Sequence, residues 1–116
     1  MLQRQFILEP DIGYPLYITA KQFWRAELEA NWDNQDAFTL ILLHSTSFHK
    51  ETWEPTLQHF FDDIQKRLSR PANPKIKCAW VIECPNHGES AALNDRALQR
   101  PPFYRSCEHT FCCSDR

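Results

Sequence analysis

Two short segments concentrate residue types that can do chemistry: His44-Ser45-Thr46-Ser47 and Glu83-Cys-Pro-Asn-His-Gly-Glu-Ser90. Each follows an apolar run, Phe38 to Leu43 in the first case and Ile76 to Ile82 in the second. Open α/β sheets place their ligand crevices outside the carboxyl ends of the strands, so both segments fall where such a sheet does its work. The chemistry that suits the first is stabilisation of an oxyanion. A loop leaving a strand can aim a backbone N–H at the negative charge that develops on a carbonyl oxygen during acyl transfer. His44, Ser45 and Thr46 are the candidate oxyanion-hole residues, with Thr46 as the preferred donor. The competing explanation is that small hydroxyl residues after a strand only satisfy the backbone of a turn.

The other reactive side chains are weaker candidates. His44 precedes His49 by five residues, which misses the i, i+4 spacing of a helical zinc site, and a loop-anchoring role suits His44 better. Ser90 has no flanking glycines and no visible base, so it is not read as a nucleophile. Gly88 permits a tight positive-φ turn below the crevice. Near the end of the chain, Cys107-x-His109-x-x-Cys112-Cys113 has metal-ligand types at a spacing poor for structural zinc, and free thiols are the favoured reading. On these grounds no catalytic nucleophile, acid or base is identified, and neither a metal nor a cofactor is expected.

The elements that must position these segments are legible in outline. Gln5 to Glu9 and Leu16 to Thr19 are apolar-rich runs separated by a Gly and Pro turn, which predicts a hairpin. Lys21 to Trp32 fits a continuing strand about as well as a short helix. Phe38 to Leu43 is continuously apolar and predicts a central strand buried on both faces. Thr52 predicts a helix N-cap, with Glu54 and Pro55 in the first turn and the helix running to about Leu68. Trp53, Leu57, Phe60, Phe61, Ile64 and Leu68 recur at helical spacing and need a sheet to cover. Arg70 to Pro74 ends that helix, and Ile76 to Ile82 predicts a second buried strand, parallel to the first through a right-handed crossover. Ala91 to Leu98 reads as a short helix or an ordered loop that Arg100 to Tyr104 ends.

Composition sets the outer limits. The 116 residues suffice for one small domain. Hydrophobic content of 42% with 13% aromatics is unlike a disordered chain. A formal net charge of -2 with interspersed signs offers no positive field for a phosphate backbone, so no nucleic acid is expected. No apolar run approaches the roughly 18 residues of a membrane span. The amino-terminal stretch meets Glu9, Pro10 and Asp11 too soon for a secretory signal, which predicts an intracellular, cytoplasmic location. Cys78, Cys84, Cys107, Cys112 and Cys113 are then free thiols rather than a disulfide framework.

Taken together, the two segments resemble the amino-terminal part of an α/β-hydrolase-fold protein over roughly Phe6 to Tyr104. Leu42-Leu-His-Ser-Thr-Ser47 resembles the family's strand-3 ending, with Ser45 where a glycine is usual. Glu83-Cys-Pro-Asn-His-Gly-Glu-Ser90 resembles its Asp-x-Pro-Gly-His-Gly-x-Ser turn, with Glu83 for Asp and Asn86 for Gly. The wording Phe48-His-Lys-Glu-Thr-Trp-Glu-Pro55 with Pro85-Asn-His-Gly88 looks closest to a fungal branch associated with secondary-metabolite and host-selective toxin pathways.

The resemblance implies an α/β fold: a hairpin plus one strand, helix, strand crossover, the amino-terminal portion of a hydrolase sheet truncated before the nucleophile elbow. Residues 1–105 would be a partial domain and 106–116 a divergent cysteine-rich tail. The implied activity is ester or thioester hydrolysis of a hydrophobic small-molecule metabolite, catalytically incomplete in this chain. None of Ser45, Ser47, Ser69, Ser90, Ser106 and Ser114 sits in Gly-x-Ser-x-Gly. A peroxisomal location, known in that branch, would need a C-terminal tripeptide that Ser114-Asp-Arg116 does not supply. Family strand order would leave Phe38 to Leu43 as an apolar edge prone to self-association. The alternatives are a non-catalytic remnant, or a small interaction or metal-binding module built on the tail.

Overall fold

The computed structural model describes residues 1–67 and 75–99. The end of the crossover helix at Leu68, the segments at 70–74 and 100–104, and the tail at 106–116 with its cysteines lie outside the described residues. Among those described, the fold is mixed α/β with an open sheet in the order β1-β2-β4-β3. β1 (Leu2–Leu8) and β2 (Ile18–Trp24) pair antiparallel from Leu2 opposite Trp24 to Leu8 opposite Ile18. The predicted hairpin is therefore present, with each strand longer or shifted relative to its apolar run. Asp11 shapes the connection, its carboxylate accepting from the N–H groups of Gly13 and Tyr14 at 2.7 and 2.8 Å. The ambiguous Lys21 to Trp32 stretch divides between both predicted states. β2 continues to Trp24, and a 3-10 helix follows over Ala26–Asn31 with Leu28 buried beneath it.

β3 (Phe38–Leu43), α1 (Glu54–Arg67) and β4 (Ile76–Ile82) form the expected parallel crossover. Leu40 and Leu42 share a sheet face with Ala79 and Val81 by register, and α1 covers that face with Leu57 and Phe61. Phe23, Phe61, Ala79 and Val81 are fully buried there. Trp53, Phe60 and Ile64 pack around this core as the helical spacing predicted.

Three expectations are corrected. β3 is not central, because its described neighbour is β4 alone and it closes the sheet order. Nor is it buried on both faces. Phe38, Ile41 and Leu43 are 58%, 67% and 57% exposed, because no described helix covers the side opposite α1 at this edge. Thr52 is not the helix N-cap. It lies inside a 3-10 helix over Lys50–Trp53 that runs directly into α1. That extra turn arises because Lys50 is drawn under the sheet end to a buried carboxylate, so the chain begins to coil before Thr52.

α2 spans Gly88–Leu98, starting earlier than the predicted Ala91 and resolving the helix-or-loop ambiguity as helix. Gly88 takes the positive φ, +49°, that its turn required. A side chain there would also run into the Glu83 carboxylate, so both backbone angle and space select glycine. No described helix is long and apolar enough to cross a membrane.

Candidate functional site

The parallel pairing of β3 with β4 brings the two reactive segments side by side, since both begin at the same end of adjacent strands. Glu83 organises the floor between them. It leaves β4 at 1% exposure, and a carboxylate at that depth survives only if its lone pairs are filled. They are filled by the Lys50 ammonium at 2.9 Å, the Thr19 hydroxyl at 2.8 Å, and the N–H groups of Ser90 and Lys50 at 3.1 and 3.3 Å. The Ser90 bond makes Glu83 the cap of α2. His87, at the N-cap position, makes no side-chain capping bond, and a carboxylate from the strand replaces it at the positive end of the helix.

Burial alone would raise the Glu83 pKa, but the bonds from Lys50, Thr19 and the two amides outweigh it and hold the pKa below the usual range. Lys50 is 1% exposed. Burial would lower its pKa, and its contacts with Glu83 and Glu89 instead hold it raised. Glu51 joins the same charge cluster at 3.3 Å from Lys50. Burial would raise its pKa, and hydrogen bonds from its own backbone, His49 and Lys21 bring it down to about 2.

α2 is pinned to the start of β2 and to the residue before it, Tyr17, by two further buried side chains. Ser90 Oγ accepts from the Thr19 N–H at 2.9 Å. Asn94 accepts from the Tyr17 N–H and donates to the Tyr17 and Pro85 carbonyls, at 2.8, 2.8 and 3.0 Å. Ser90, expected not to be a nucleophile, is placed as such a strut with no exposed surface.

Above this floor the two loops are joined through imidazoles. His44 Nδ1 lies 2.9 Å from the Ser45 carbonyl, and its Nε2 accepts from the Cys84 N–H at 3.0 Å. His87 Nε2 accepts from the Ser47 N–H at 3.1 Å, and its Nδ1 lies 2.8 Å from Asn86 Oδ1. With oxygen acceptors at both Nδ1 atoms and N–H donors at both Nε2 atoms, each ring carries its proton on Nδ1. His44 thus anchors its loop, as expected from its position. His49, by contrast, turns away and pairs with Glu51 at 2.8 Å.

Thr46 is exposed at the tip of the loop, and its N–H has no hydrogen-bond partner among the described residues. Ser47 beside it adopts φ +70°, a left-handed conformation costing a non-glycine residue about 1–2 kcal/mol. The loop is held in that shape by the His87 bond to Ser47 and by Phe48 N–H bonding back to the Ser45 carbonyl at 3.1 Å.

His44, Cys84 and His87 also come together, their ligating atoms all within 4.8 Å of one another. Burial and then the Glu83 charge push the Cys84 thiol pKa up. The sequence expectation of no metal site weighed His44 against His49 and the tail, and never against Cys84 and His87. Lys50, Thr19 and Asn94 were also missed. The available signal was Glu83 itself, because a carboxylate directly after a buried apolar strand demands a cation and donors nearby. Ser90 and Asn94, four apart on one helix face, were a second signal.

The described architecture is that of a small mixed α/β sheet with a loop cluster at the carboxyl ends of its parallel pair. No protein-family model, curated protein or solved structure matches the chain.

Proposed function

We propose that this chain is the amino-terminal, oxyanion-side portion of an α/β-hydrolase-like protein, of the ester or thioester type, acting on a hydrophobic metabolite. By resemblance its setting is fungal secondary-metabolite or toxin biosynthesis. The observation that carries the reading is the loop cluster. The 44–47 loop is fixed by His44 and His87 in a left-handed turn that leaves the N–H of the exposed Thr46 unpaired among the described residues. A preorganised, unpaired amide is what an oxyanion hole requires. The sheet order adds support, since β3 lies beside β4 with its other edge unpaired among the described residues, where the family resemblance places the next strand. Because no serine of the chain lies in a glycine-flanked elbow, the chain supplies the electrostatic half of the site and not the nucleophile.

The test is to sequence the native transcript beyond the Arg116 codon and assay the longest encoded product on an activated ester. A downstream Gly-x-Ser-x-Gly is expected. Thr46→Pro, which deletes the N–H, should then lower kcat by about 10²–10³ while Thr46→Ala leaves it near wild type. Absence of such a frame, or equal loss in both variants, overturns the reading.

A further inference from the structure

We propose that His44, Cys84 and His87 form a binding site for one zinc-like divalent cation, with both imidazole Nε2 atoms and Cys84 Sγ as ligands. This goes beyond the acyl-transfer reading and does not depend on it. The ligands come from two places that the fold brings together: His44 directly after β3, and Cys84 and His87, three residues apart in the turn between β4 and α2. One ligating atom from each residue lies within 4.8 Å of the other two.

The protonation pattern of the rings carries the argument. A metal-binding histidine commonly donates its other ring N–H to an oxygen, which fixes the tautomer and directs the free lone pair to the metal. Both rings here are held that way, His44 by the Ser45 carbonyl and His87 by Asn86 Oδ1. The Nε2 lone pairs are therefore the available ligands, and their present partners are the backbone N–H groups of Cys84 and Ser47. Ser47 is exposed, so water takes over its amide when a metal arrives. Zinc bonds of about 2.0–2.3 Å in a tetrahedron set ligands about 3.3–3.8 Å apart, so the cluster closes by about 1 Å on binding. Cys84 and His87, both half-buried in their turn, reach that by side-chain rotation toward the buried His44.

The donor set selects the ion. One thiolate and two imidazoles suit zinc and cobalt(II) and disfavour magnesium and calcium, which want oxygen. Binding exchanges the thiol proton of Cys84 for the metal and releases it to solvent. Three protein ligands leave a fourth position for water beside the exposed Ser45–Ser47 loop.

The experiment is a cobalt(II) titration of the reduced, full-length chain, followed by absorbance. The expected result is a thiolate-to-cobalt charge-transfer band and tetrahedral d–d bands that saturate at one cobalt per chain and are displaced by zinc. Cys84→Ser should abolish the charge-transfer band. Asn86→Ala, which touches no ligand atom, should weaken binding about 10-fold by freeing the His87 tautomer. The variant carrying Cys107→Ser, Cys112→Ser and Cys113→Ser should keep the band, with circular dichroism confirming the fold in each case. The proposal is overturned if wild type gives no charge-transfer band, if the band survives Cys84→Ser, or if the tail variant loses it.

Discussion

β3 and β4 are apolar strands of nearly equal length, paired in parallel and joined by one helix, yet the structure treats them differently. β4 lies between β2 and β3, and Cys78, Ala79 and Val81 are buried within it. β3 keeps half-buried only the side chains that face α1, while Ile41 and Leu43 on its other face stand in the open. Hydropathy states what a strand is able to bury, and the number of neighbours decides what it does bury. The same contrast runs through the charges. Lys50 is enclosed with Glu83, whereas Lys21, on the α1 face of β2, bonds Glu54 at 2.7 Å near the surface.

The strongest test of the contrast removes one aromatic ring from each side. Phe61 has no exposed surface and sits among Phe23, Leu57 and Val81, so Phe61→Ala should cost about 3–5 kcal/mol through lost transfer energy and a residual cavity. Phe38, 58% exposed at the start of β3, should lose about 0.5 kcal/mol or less on the same change. Urea denaturation of both variants measures the difference. Equal costs would mean that the β3 face is covered in solution.

Next in size is the enclosed ion pair. Lys50→Met keeps most of the stem but strands Glu83, and should destabilise by about 3 kcal/mol at neutral pH. Lys21→Met should change stability by less than about 1 kcal/mol, because its partners are half-exposed. The pH dependence has a definite sign. Glu83 is depressed in the folded state, so its contribution is complete above the ordinary carboxylate range and is lost as pH falls through its folded pKa. Lys50 is raised, so its contribution holds below the ordinary lysine range and is lost as pH rises through its folded value. Stability should therefore decline below about pH 4 and above about pH 10. In Lys50→Met the stranded carboxyl protonates more readily, and the gap to wild type should narrow as acid is added. A gap constant from pH 3 to pH 8 would show that the pair does not control it.

These residues mark how far sequence reading reached. The crossover, β4 and the apolar stripe of α1 were legible because periodicity reports burial directly. The placement of His44 and the turn at Gly88 were legible because residue type limits what those positions can do. The edge position of β3 was not legible from its own residues, since covering one face with α1 already accounts for Leu40 and Leu42, and nothing local says whether a helix covers Ile41. The floor of the site was missed for a different reason. Thr19, Lys50 and Asn94 acquire their roles only through partners far along the chain, and Lys50 reads locally as a solvated helix-start lysine. His44 and Cys84 likewise meet only because two strands run parallel.

The smallest effect on stability comes with a distinct change in assembly. Among the described residues the outer edge of β3 presents unpaired backbone groups flanked by Phe38, Ile41 and Leu43, with no charge or proline from 38 to 43 to oppose pairing with another copy. Such an edge should make the isolated chain self-associate, with sedimentation velocity showing species larger than the monomer that grow with concentration. Ile41→Lys places a charge on the open face, where it stays hydrated, and should shift stability by only about 0.5 kcal/mol. In a paired edge the same lysines would be forced together and desolvated, so the variant should sediment as monomer. Ile41→Val keeps the face apolar and should associate as wild type does. A wild-type chain that stays monomeric and melts cooperatively at high concentration would show that the β3 edge is closed, and with it the difference between β3 and β4 would disappear.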